Sequence, residues 1–157
     1  MENKTKKIVF SALLASLTCV ATMVIKIPTI NGYINLGDGA VLLCGWLLGP
    51  VYGFLAAAIG SALADVFYGY MVYAPVTFIL KGAVAAVCCL LSKRTKLLIS
   101  AIAAELIMVA GYYLFEGFLY GFSVALLNVL PNAIQGTAGI IAGLILIKIF
   151  KKSNIQS

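Results

Sequence analysis

The chain has 157 residues, of which 63% are hydrophobic and only 10% charged, with a mean hydropathy of +1.10 and a net charge of +6. These proportions exclude a water-soluble domain, in which about a quarter of the residues are charged and much of the surface is polar. They predict a single all-α domain over residues 1–157, a compact bundle of transmembrane helices embedded in a lipid bilayer.

The apolar runs predict six transmembrane helices. Several of these runs approach the length that crosses a bilayer core of roughly 30 Å. Their expected bounds are 8–26, 38–49, 51–68, 75–92, 96–116 and 122–150. The first run follows basic residues, as the core of a secretory signal does, but it is long for such a signal and no cleavage site followed by a soluble chain appears. We therefore expect a retained helix. The segment 38–67 is either two short helices or one long helix kinked at Pro50.

Positive charge favours two short helices. With six helices and a cytoplasmic N-terminus, nine of the eleven basic residues fall on the cytoplasmic side. They are Lys4, Lys6, Lys7, Lys93, Arg94, Lys96, Lys148, Lys151 and Lys152. One long helix would move the cluster at 93–96 to the other side, against the positive-inside rule. We therefore predict six helices with both termini cytoplasmic, and the net charge requires no nucleic-acid partner.

Residues for catalysis are missing from the sequence. It has no histidine and no Gly-x-x-x-x-Gly-Lys-Ser/Thr phosphate-binding loop, so neither an enzyme nor an ATPase is expected. The four cysteines have no zinc-ligand spacing and are predicted to be small apolar membrane residues. No metal and no cofactor is expected.

The predicted topology places nearly all intramembrane polar side chains in the outer half of the bilayer. Polar and charged groups at such depths are costly and usually face the bundle interior or a wet cavity. We therefore predict a binding site near the outer face. The residues predicted to bind substrate are Asn31, Tyr33, Asp38, Asp65, Tyr73, Lys81, Glu105, Tyr112, Glu116, Asn128 and Asn132.

Structural roles also explain several of these residues. Asp38 is a reasonable N-cap for the helix that begins there, and Asp65 suits an interfacial position. Lys81 and Glu105 either form a buried ion pair or present charge to a ligand.

The asparagines and the aromatic residues can likewise have either a structural role or a role in binding a ligand. Asn128 and Asn132 share one helix face, where hydrogen bonds between helices explain them about as well as ligand contact does. Tyrosine and phenylalanine crowd the same outer end, either as an interfacial aromatic belt or as surfaces for stacking a flat ring. The shared depth of all these residues favours a site.

Three stretches of sequence resemble the S components of energy-coupling factor (ECF) vitamin transporters. They are YINLGD at 33–38, LLGPVYGFLAAAIGSALAD at 47–65 and YAPVTFILKG at 73–82. The resemblance is to the branch linked to riboflavin, hydroxymethylpyrimidine and pyridoxine. It implies six helices with both termini inside, in a bacterial cell membrane, and a substrate site near the outer face. The loop between helices one and two would cover that site.

The same resemblance implies partners. In this family a face of small residues, Ala-x-x-x-Ala, on helix one docks on a membrane-embedded coupling subunit, and two ATPase subunits supply energy. The equivalent residues here are Ala12, Ala15 and Ser16. We expect a small vitamin or precursor as substrate, of hydroxymethylpyrimidine or pyridoxine type first and riboflavin next. A membrane scaffold and a stand-alone secondary carrier remain alternatives, although no inverted repeat is evident.

Overall fold

A computed structural model describes residues 4–24, 26–29 and 33–153, and helices make up nearly all of this part of the chain. The helices are α1 (Lys4–Val24), α2 (Gly37–Phe67), α3 (Ala74–Ser92), α4 (Leu97–Tyr120) and α5 (Phe122–Lys152). All five are long and apolar enough to cross a membrane. The predicted all-helical membrane fold is thus confirmed.

The predicted helices at 38–49 and 51–68 lie within the single element α2, which is interrupted at Gly49. Gly49 has a φ of 82°, a conformation that glycine adopts far more readily than other residues. A Cβ added to Gly53 would lie 2.7 Å from the carbonyl oxygen of Cys44. Residues nine positions apart in a straight helix are about 13 Å apart along the axis. The chain therefore turns back at Gly49, and the two halves of α2 pack against each other.

Other predicted boundaries also need correction. The first helix was expected to reach residue 26, but α1 ends at Val24 and Lys26–Pro28 forms strand β1. It pairs in antiparallel fashion with β2, Tyr33–Asn35, so the segment between α1 and α2 contains a hairpin that the apolar pattern did not reveal. Helix α4 continues past the expected end at 116 until Gly121, which has a φ of 92°.

The first half of α2 lies at the centre of the bundle. Residues 37–45 are all buried, as expected for a helix that is apolar on every side. Small residues allow its neighbours to approach closely. A Cβ on Gly45 would collide with the backbone carbonyl of Ala85 in α3, and one on Gly60 would collide with that of Ala15 in α1. Close backbone contact of this kind drives helix association where lipid removes the hydrophobic driving force.

A buried ion-pair network joins the central helices. Lys81 in α3 forms an ion pair with Asp38 in α2, and their side chains are only 4% and 1% exposed. Gln135 in α5 donates a hydrogen bond of 2.7 Å to the second carboxylate oxygen of Asp38. The Gln135 carbonyl oxygen in turn accepts from the backbone and side-chain amides of Asn35 in β2, at 3.0 and 3.2 Å. We call these four residues the ion-pair network.

This network corrects two sequence-based interpretations. Asp38 does not cap α2: the N-cap position is Leu36, without a side-chain capping bond among the described residues, and the Asp38 side chain points into the bundle. Lys81 pairs with Asp38 and not with Glu105, because the start of α2 is brought against the middle of α3. Such long-range contacts are not visible in sequence spacing.

Loss of one partner of the ion pair should strongly destabilise the bundle. Replacing Lys81 with methionine leaves Asp38 buried without its cation, and the loss of one partner of a buried pair costs about 3–5 kcal/mol. We expect Lys81→Met to lower the free energy of unfolding in detergent by about this amount. Denaturant titration monitored by circular dichroism measures the effect.

Two further variants serve as controls. Lys93→Met removes an exposed lysine at the C-terminal end of α3 and should change stability little. The double variant Asp38→Asn/Lys81→Met removes both charges and should recover part of the loss. If Lys81→Met is as mild as Lys93→Met, the ion pair does not stabilise the bundle.

Candidate functional site

A small polar cavity lies at the end of the bundle that holds the β-hairpin. Its volume is about 50 Å³, which is room for a few water molecules. Sites for small organic molecules usually have roughly 300–1,000 Å³. A larger ligand must therefore displace side chains or move the hairpin as it enters.

Most of the residues that were predicted to bind substrate line this cavity. They are Tyr33, Asp65, Tyr73, Tyr112, Glu116, Asn128 and Asn132. They come from β2, α2, α4 and α5, and Tyr73 directly precedes α3, so residues far apart in sequence meet at one end of the bundle. Their contact with a ligand stays a prediction.

Three of the remaining predicted residues, Asp38, Lys81 and Glu105, do not line the cavity. Asp38 and Lys81 belong to the ion-pair network. The other two residues of that network, Asn35 and Gln135, do line the cavity. Glu105 is 3% exposed, and neither of its carboxylate oxygens has a hydrogen-bond partner among the described residues. Asn31 lies outside the described residues.

Several cavity residues were missed. They are Thr29, Ile34, Asn35, Tyr70, Thr77, Pro131 and Gln135. Helical spacing contained a signal for two of them: Thr77 lies one turn from both Tyr73 and Lys81, and Gln135 lies one turn from Asn132. The hairpin residues carried no comparable signal, since their position depends on how β1 and β2 pair.

The hairpin covers the cavity through Tyr33. Its hydroxyl donates a hydrogen bond of 2.7 Å to one carboxylate oxygen of Asp65. Its ring contacts those of Tyr68 and Tyr70, with centroid distances of 5.4 and 5.2 Å. Burial, with the nearby Asp65 charge, raises the pKa of Tyr33 well above its ordinary value. The phenol therefore remains a hydrogen-bond donor over the physiological pH range.

Opposite the hairpin, Glu116 organises the wall formed by α3, α4 and α5. It accepts hydrogen bonds from the Tyr73 hydroxyl at 3.2 Å and from the Asn128 amide nitrogen at 2.9 Å. Two acceptor atoms of the lining stay unused: Oδ2 of Asp65 and Oδ1 of Asn128 are buried and have no partner among the described residues. The cavity thus presents hydrogen-bond acceptors.

The predicted docking residues lie on a different surface. Ala12, Ala15 and Ser16 line an apolar groove of about 600 Å³ between α1 and the second half of α2. Ala12 and Ser16 are exposed, so the floor of the groove is accessible from the surface. Small side chains at these positions leave room for a helix of another protein.

Comparisons with known proteins agree with this architecture. A family model described as "ECF-type riboflavin transporter, S component" matches residues 2–152. An uncharacterised protein of Pyrococcus woesei is 36% identical over 130 residues, which cover 79% of this chain and 87% of that protein.

Two solved structures share the fold. One is the S component of a bacterial ECF transporter, with a TM-score of 0.82 and 20% identity, covering 98% of this chain and 99% of the other. The second is an S component for biotin from an ECF-type ABC transporter, with a TM-score of 0.65 and 19% identity, covering 96% and 95%. Since the family model matches almost the whole chain, the protein belongs to the family of ECF-type transporter S components.

Proposed function

We propose that this chain captures a small water-soluble vitamin or vitamin precursor at the outer face of a bacterial plasma membrane. A coupling subunit and two ATPase subunits then deliver it inward. S components are the substrate-binding subunits of ECF importers. The observation that carries the proposal is a polar cavity, covered by a hairpin, at one end of an otherwise apolar bundle. Hydroxymethylpyrimidine or pyridoxine compounds are the favoured substrates and riboflavin is next.

The reversal of α2 at Gly49 supports the proposed six membrane crossings. Lys7 Nζ lies 5.9 Å from the ring centroid of Tyr52, and Lys151 Nζ lies 5.6 Å from that of Trp46. Basic residues from both ends of the chain thus gather near Gly49, whereas the cavity is at the other end of α2. The positive-inside rule then favours cytoplasmic termini and a cavity that faces outward.

The hairpin acts as the gate in this proposal. Movement of the hairpin would enlarge the cavity of about 50 Å³ and admit a ligand, and the hydrogen bond from Tyr33 to Asp65 holds the hairpin in place. The second connection is the pair of hydrogen bonds from Asn35 to Gln135. Opening the gate therefore breaks polar contacts with α2 and α5 that can form again over a bound ligand.

Ligand binding by the purified chain tests the proposed function. We expect one compound of a panel containing hydroxymethylpyrimidine, pyridoxine, pyridoxamine, thiamine and riboflavin to raise the melting temperature and to bind in native mass spectrometry. Affinity in the micromolar range or tighter would support substrate capture. If a folded chain binds none of them, capture of such vitamins is wrong.

Removing the Tyr33 hydroxyl should weaken the gate. A hydrogen bond to a charged group contributes about 1.5–3 kcal/mol, so Tyr33→Phe should release bound ligand about tenfold faster or more. Stopped-flow displacement of the compound identified in the panel measures this rate. Tyr113→Phe is a matched control, because Tyr113 packs on Phe122 outside the cavity. Equal release rates in both variants would contradict the gate.

A bulky residue in the groove should block docking on the coupling subunit. Ala12→Leu fills the floor of the groove with an exposed side chain, so we expect ligand binding by the isolated chain to persist while uptake falls at least tenfold. Co-purification with the coupling subunit and a cellular uptake assay measure both effects. Ala133→Leu, at an exposed position on α5 outside the groove, is the control. Normal complex formation by Ala12→Leu would place docking elsewhere.

A further inference from the structure

The unused acceptors of the cavity indicate what a ligand must bring. Asp65 is 5% exposed and Asn128 is 3% exposed. The Thr77 hydroxyl lies close enough to interact with the Asp65 carboxylate, but Oδ2 of Asp65 and Oδ1 of Asn128 are buried and have no partner at hydrogen-bond distance among the described residues. Buried polar atoms are normally paired, and an unpaired one in a cavity indicates a missing partner. A carboxylate oxygen and an amide oxygen both accept hydrogen bonds, so the partner has to be a donor.

The orientation of Asn128 supports this assignment. Its amide nitrogen donates to a carboxylate oxygen of Glu116 at 2.9 Å. Turning the amide over would place its oxygen against that carboxylate, with two acceptors in contact. The observed orientation therefore leaves the oxygen of Asn128, and not its nitrogen, without a protein partner.

Three donors of the lining are already in use. The hydroxyl of Tyr33 donates to Asp65 and that of Tyr73 donates to Glu116. The Gln135 amide nitrogen donates to Asp38. A ligand acceptor that bonded one of these three donors would have to displace its present bond, whereas a ligand donor would add to them.

The charge of the cavity lining also favours a ligand that donates hydrogen bonds or carries a positive charge. The charged residues among the described lining are Asp65 and Glu116, both acidic. Lys81 lies outside the lining and its charge is balanced by Asp38. Carboxylates in a cavity with little water stabilise a cation more strongly than they would in solvent.

We propose that the cavity selects a flat heterocycle that carries an amino group, bound as a hydrogen-bond donor and, when protonated, as a cation. The proposal rests on the proposed function and specifies the substrate class for the same site. The amino group donates to Oδ2 of Asp65 and Oδ1 of Asn128, and tyrosine side chains flank the ring. An aminopyrimidine and an aminomethylpyridine have this chemistry, while a ring with a carbonyl in place of the amino group does not.

Matched ligand pairs test the proposal. The first pair is 4-amino-5-hydroxymethyl-2-methylpyrimidine and its 4-oxo analogue, and the second is pyridoxamine and pyridoxine. Calorimetric titration of the full chain should give at least tenfold tighter binding for the amino member of one pair. Riboflavin, which carries no amino group, should bind more weakly than that member.

The variant Asp65→Asn sharpens the test. Its side-chain oxygen can still accept from Tyr33, so the hairpin contact is kept, but its amide group replaces the unused acceptor with a donor. The preference for the amino member should fall at least tenfold, with a gain for the 4-oxo analogue. Thermal unfolding establishes that the variant is folded.

The outcomes separate this inference from the proposed function. If the 4-oxo analogue, pyridoxine or riboflavin binds as tightly as the amino compounds, the chain is a vitamin-binding S component and the amino-group inference is wrong. If Asp65→Asn keeps the wild-type preference, the assignment to Asp65 is wrong. If the folded chain binds none of these compounds, the proposed function and the inference both fail.

Discussion

The ion pair between Lys81 and Asp38 is the interaction on which the rest of the structure depends. Two charges in an apolar bundle are tolerated only when each is paired and hydrogen-bonded. This requirement fixes the start of α2 against α3, and through Gln135 it also fixes α5. The polar cavity lies directly above this fixed arrangement, with Gln135 belonging to both. The floor of the site is therefore part of what holds the helices together.

The same network connects the interior to the hairpin. Gln135 bonds Asp38 with its nitrogen and Asn35 with its oxygen, so a movement of β2 acts on the ion pair through one side chain. The hairpin is held on its other side by Tyr33 and Asp65. A ligand that occupies the cavity would lie next to both hydrogen-bonded contacts of the hairpin, Tyr33 with Asp65 and Asn35 with Gln135. The position of the hairpin and the stability of the bundle are thus physically coupled.

The sequence predicted much of this fold for clear reasons. Apolar length identified the membrane helices, and the charge distribution favoured two short segments where the structure has one element, α2, interrupted at Gly49. Depth in the membrane located half of the cavity residues. The sequence could not show which buried charges pair, because the pairing of Lys81 with Asp38 depends on contacts between distant segments. The hairpin was also missed, because a strand of three residues has too little pattern to stand out in an apolar chain.

Labelling of an introduced cysteine from outside the cell tests the central claim, an outward-facing cavity that holds the substrate. The four native cysteines are buried, so an Asn132→Cys variant supplies the reactive thiol at the edge of the cavity. With a membrane-impermeant maleimide and intact cells, we predict labelling from outside that slows at least tenfold with a saturating amino-heterocycle. Labelling only after the membrane is permeabilised, or at a rate that bound ligand does not change, would contradict the account.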